Sequence, residues 1–126
     1  MLILALAITH PVAAQTFKPD IYAAYAAHKK KDYATALKHY RGLAKKGHRI
    51  AQDTLGTMYR DGEGVLQDLV MAYVWFNLAS TNSHSLSGRD RDKVLSRLTA
   101  PERRLALKLS KLCLKNPAKC PEYSDD

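Results

Sequence analysis

The residues with chemistry to offer are Cys113 and Cys120, four dispersed histidines of the five in the chain, an acidic glycine loop and a dense run of cations. The two cysteines are the only ones in the 126-residue chain, and Pro117 lies between them. In an oxidising compartment a turn at Pro117 would let them bridge. The spacing is not that of a zinc knuckle and no paired histidine accompanies it. Two free thiols are the remaining alternative, preferred if the chain stays in a reducing compartment. His28, His39, His48 and His84 fall on different segments, with no two at ligand spacing on one helix face. They read as solvated or helix-end residues. Asp61-Gly62-Glu63-Gly64-Val65 invites a phosphate-loop reading, but no strand precedes it and the Lys-Ser/Thr pair is absent. A calcium loop needs an acidic ladder that is also missing, so Glu63 reads as a turn residue and Asp68 as a helix cap. No strained nucleophile turn is visible. The sequence therefore assigns no catalytic residue, no metal site and no cofactor.

The cations are unevenly spread within a net charge of +8. Lys29, Lys30, Lys31, Lys38, Arg41, Lys45, Lys46 and Arg49 face only Asp32 between His28 and Arg49. Such a stretch would dock an anionic surface, whether lipid headgroup, acidic polysaccharide or nucleic acid. Nucleic acid is disfavoured, because no aromatic-interleaved reader motif is present and an exported protein would rarely meet it.

The elements that position these residues are helices. Ala and Leu are abundant, and no alternating strand pattern persists. Ala51, Leu55, Met58 and Tyr59 recur on one helical face, and Gly56 beside them would admit a close neighbour. Gly62 or Gly64 can take the left-handed conformation that ends this helix. Asp68 caps the next, whose stripe is Ala72, Trp75, Phe76 and Ala79. The hairpin has a copy upstream. Asp32, Ala36 and Tyr40 align with Asp68, Ala72 and Phe76 at a constant offset of 68 − 32 = 36.

From about Asp32 to Ala79 the chain resembles the Sel-one-like repeat, a relative of the tetratricopeptide repeat. The match rests on Asp32, Ala36, Leu37, Leu43, Ala44, Gly47, Ala51, Leu55, Gly56, Tyr59, Gly62, Gly64, Val65, Asp68, Ala72, Trp75, Phe76 and Ala79. Lys31 and Ser83 stand where the repeat usually has glycine, so the array is expected to degenerate after Ala79. The resemblance implies an all-α solenoid of antiparallel helix pairs acting as an adaptor, with a protein partner held on the face formed by the first helices of successive hairpins.

About six helices are expected. Pro19-Asp20 opens the first, with Ile21, Tyr22, Tyr25 and Ala26 turned inward. The second runs from Asp32 to about Lys46, and the hairpin at 55–79 supplies the third and fourth. Thr81–Ser87 reads as a polar loop. The fifth spans about Gly88 to Leu98, with Val94, Leu95 and Leu98 inside. Thr99-Ala100-Pro101-Glu102 is a capping box that starts the sixth, with Leu105, Leu109 and Leu112 inside, ending near Leu114. The repeat-like part is then 20–80 within a helical domain of 15–115, with capping helices over 88–114 and a tail of 116–126.

Met1 to Ala14 is expected to be a cleavable secretory signal. Leu2–Ile8 is its apolar region and Val12-Ala13-Ala14 its small-residue cleavage site. No basic residue precedes the apolar region. The alternative, a buried first helix, is broken at Pro11. The stretch is too short to cross a bilayer. Periplasmic or secreted location follows from this reading.

Overall fold

The computed structural model describes residues 16–81 and 86–122. The proposed leader, His84 and Ser83 lie outside them. Among the described residues there are six α-helices, one 3₁₀ turn and no strand. The helices are α1 (Ile21–Lys29), α2 (Tyr33–Lys45), α3 (Arg49–Asp61), α4 (Leu69–Ser80), α5 (Leu86–Arg97) and α6 (Ala100–Lys115). The 3₁₀ turn is Pro117–Lys119.

Sequence-local chemistry sets the helix starts. Asp20, Asp32 and Asp68 each accept a hydrogen bond from a backbone N–H three residues on, as N-caps do. His48 does the same for α3 through Nδ1. Thr99 and Glu102 form the reciprocal capping box of α6.

The first three helices stop in a shared way. After α1, Lys31 has φ 61°; after α2, Gly47 has φ 86°; after α3, Gly62 has φ 70°. In each case the next N–H reaches back five residues, from Asp32 to Ala27, His48 to Leu43 and Glu63 to Met58. This is the left-handed closure that satisfies orphan carbonyls at a helix end.

The core is organised on α4. It packs against α3, α5 and α6, while α2 packs against α1 and α3. Ala72, Trp75, Phe76 and Ala79 are buried, and so are Val70, Met71, Tyr73, Val74 and Leu78. A helix apolar on nearly every side must be enclosed, and α4 is. Ala36, Leu37, Tyr40, Ala44, Ala51, Leu55, Met58 and Tyr59 complete the core on α2 and α3. Two glycines permit close contacts. A Cβ on Gly56 would lie 2.6 Å from the Phe76 ring, and one on Gly64 would lie 2.4 Å from Cβ of Tyr33.

Three expectations are corrected. On α1 the inner residues are Ala24 and Ala27 with Ile21 partly covered, while Tyr22, Tyr25 and Ala26 face outward. On α6 the inner residues are Ala106, Ser110 and Cys113, with Leu109 packed at the margin; Leu105 and Leu112 are exposed. In both helices small side chains let the backbone approach its neighbour, and the large ones are displaced to the flanks. Finally, α5 begins at Leu86, inside the expected loop, and Ser87 is buried there, donating its hydroxyl to Asp53.

Candidate functional site

The run of cations is not one surface. Lys29, Lys30 and Lys31 lie at the C-terminal end of α1 and the turn beyond it, where positive charge suits the helix dipole. Lys46 lies in the turn after α2. Arg49 opens α3 and lines a groove of about 210 Å³ with Ile50, Asp53, Leu86 and Ser87. Ile50 and Leu86 are well exposed on this groove, at 58% and 72%. Beside it, Arg60 grips Asp61 through Nε and a terminal nitrogen at 2.8 and 3.0 Å and stands 3.8 Å from Asp90 of α5. The Arg60 hydrogen bond holds the Asp61 carboxyl below its usual range, against a smaller opposing effect of burial. The groove thus offers two apolar side chains in a charged rim.

Lys38, Arg41 and Lys45 follow one another at three- and four-residue spacing along the outer side of α2. They line a cleft of about 330 Å³ together with Phe17, Ala34, Gly42 and Glu122. One wall is the segment before α1. Pro19 lies so close over Gly42 that a Cβ there would come within 2.3 Å of its Cγ. The Asp20 N–H donates to His39 Nδ1 at 2.9 Å, Phe17 packs on the His39 ring, and Lys38 Nζ sits 4.3 Å from the Phe17 ring centre. The last contact is a cation–π arrangement.

The other wall is the tail. The 3₁₀ turn touches α2 as well as α6, and Cys113 and Cys120 are joined by a disulfide with Cα atoms 4.7 Å apart. Two residues on, Glu122 forms an ion pair with Lys45. That hydrogen bond holds the Glu122 carboxyl below its usual range; burial opposes, and the charges of Lys45 and Arg41 add to the lowering. A terminal nitrogen of Arg41 donates to the Tyr59 hydroxyl at 3.4 Å. Arg41 Nε is buried and has no hydrogen-bond partner among the described residues.

The repeat residues named from the sequence supply caps, turns and core rather than surface chemistry. Each of the three described histidines has its own partner. His39 holds the segment before α1, His48 caps α3, and His28 Nε2 meets Glu63 at 2.7 Å, tying α1 to the turn after α3. Among the described residues no three His, Cys, Asp or Glu side chains gather as a metal-ligand set, and no helix is long and apolar enough to cross a membrane. Sequence reasoning missed Phe17 and Glu122. Lys45 and Glu122 are 77 positions apart, and only the path of α6 and the bridged tail brings them together. No protein-family model, curated protein or solved structure matches the chain.

Proposed function

We propose that this chain is a Sel-one-like repeat adaptor, a non-catalytic module that binds a partner protein in the bacterial envelope or after secretion. The observation that carries the reading is the equivalence of α2 and α4. Residues related by 36 positions play matching parts: Asp32 and Asp68 cap, Ala36 and Ala72 are fully buried, and Tyr40 and Phe76 are core aromatics. In this reading α1–α2 and α3–α4 are successive antiparallel pairs of a tetratricopeptide-like solenoid, and α5–α6 cover its open end. Export is supported by the Cys113–Cys120 bridge, because such bonds persist in oxidising compartments.

The partner-binding face is assigned to the groove between α3 and α5, where Ile50 and Leu86 are exposed large apolar groups beside charged residues. Interface energetics favour a few such anchors within a polar rim. Docking of a broad anionic surface by the whole 28–49 region has less behind it, since its cations fall in separate places.

The test is co-purification from an envelope extract with Ile50→Glu and Leu86→Glu variants beside the parent. The expected result is a partner captured by the parent and lost by both variants, with unchanged thermal melting. Capture by the variants at parental level would defeat the assignment of this face.

A further inference from the structure

We propose that the cleft on α2 is a binding site for an acidic peptide segment, and that Glu122 is the chain's own occupant of it. The site is separate from the α3–α5 groove and does not depend on what that groove binds.

Four observations converge. The cleft gathers Lys38, Arg41 and Lys45 from successive turns of one helix. It already holds a carboxylate, that of Glu122, paired with Lys45 and feeling the charge of Arg41. Arg41, which lines the cleft beside that carboxylate, has its Nε buried and without a hydrogen-bond partner among the described residues. Its apolar wall, Phe17, is fixed by Pro19 packing on Gly42 and by His39.

The shape favours a peptide over a bilayer. The positive charge lies in a cleft flanked by Phe17 and by Glu122 of the tail. The occupant seen there is a glutamate on a non-helical segment, Pro121-Glu122. The sequence that follows, Tyr123-Ser124-Asp125-Asp126, adds two further acids, which makes 121–126 a natural acidic probe for the cleft.

The tether makes Glu122 a competitor. The disulfide fixes the chain two residues before it, which keeps its carboxylate at high effective concentration near Lys45. The ion pair is nevertheless open to solvent, with Lys45 half-buried and Glu122 exposed, and such pairs close weakly. A partner segment with several carboxylates can therefore displace it.

The probe is a fluorescein-labelled peptide of residues 121–126, titrated against the full chain at low salt and followed by anisotropy. A control peptide carries Gln and Asn in place of its acids. Glu122→Gln should bind the acidic probe roughly two- to fivefold more tightly than the parent, the gain set by removing a weakly closed competitor. Adding Lys38→Gln and Lys45→Gln to that background should weaken binding by ~10-fold or more, and added salt should weaken it in the parent. All variants should melt near the parent, since the altered side chains are at the surface. Equal or weaker binding by Glu122→Gln overturns the proposal, as does equal binding of the control peptide. Retention on phosphatidylglycerol vesicles without binding of the acidic peptide also overturns it, in favour of a lipid surface.

Discussion

Lys31 is the one non-glycine residue with positive φ among those described, and it occupies the position that Gly47 and Gly62 fill after α2 and α3. A side chain with a Cβ is strained there by about 1–2 kcal/mol. Glycine would relieve that strain but costs backbone entropy in the unfolded chain. Strain relief should win, so Lys31→Gly is expected to stabilise by ~0.5–1 kcal/mol in urea denaturation. Gly56 poses the opposite case. Alanine is the better helix former by ~1 kcal/mol, yet its Cβ would meet the Phe76 ring at 2.6 Å in the middle of the core. Overpacking of that kind costs ~1–3 kcal/mol, so Gly56→Ala should be net destabilising despite the propensity gain. A melting temperature at or above the parent's would show that α3 and α4 can part without loss.

At the scale of elements, the inner faces of α2, α3 and α5 were legible and those of α1 and α6 were not. For α2 and α3 the three- and four-residue spacing of apolar groups names the buried face, whereas the stripe read on α4 is only part of a helix buried on nearly every side. At α1 and α6 a helix can be seated on alanine, serine and cysteine, leaving Tyr22, Tyr25, Leu105 and Leu112 in view. Hydrophobicity alone points to the large side chains, whereas close approach selects the small ones. The cap residues Asp32, Asp68 and Thr99 were readable because capping is local. The α2 cleft was not, because its walls come from both outer segments of the described chain. The bridge at the end of α6 makes its own expectation. Cys113 is fully buried and Cys120 nearly so, hence the bond anchors the tail to the inner side of the helix. Closing so short a loop contributes ~2–3 kcal/mol in the chain-entropy account. Reduction with alkylation should lower the melting temperature correspondingly while α2–α4 keep their helical signal.

For the molecule as a whole, the titrating groups bound its stability on both sides. Asp32 and Glu102 are held low by cap hydrogen bonds, Asp61 by Arg60, and Glu122 by Lys45. A carboxyl with a depressed folded value contributes stability above its unfolded value near ~4, lost as pH falls through the folded value. Tyr40 shifts upward, chiefly because burial disfavours its phenolate, with a smaller contribution from Tyr25. A raised folded value leaves the fold unaffected below ~10, the usual tyrosine range, and weakens it as pH climbs beyond. Melting temperature against pH should therefore show a plateau between roughly pH 5 and 9 with a fall on each side. A profile rising steadily below pH 4 would contradict the carboxylate assignments. The bridged tail also decides how the molecule would behave under load. Pulled from residues flanking 17 and 122, the chain would peel first at the two edges of α2, through the His39 and Lys45 contacts. Oxidised, the segment from Cys113 to Cys120 cannot pay out, so force reaches the last turn of α6 directly. Reduced, its seven-residue separation adds roughly 20 Å of contour length, a step that optical tweezers can resolve and that should vanish on reoxidation.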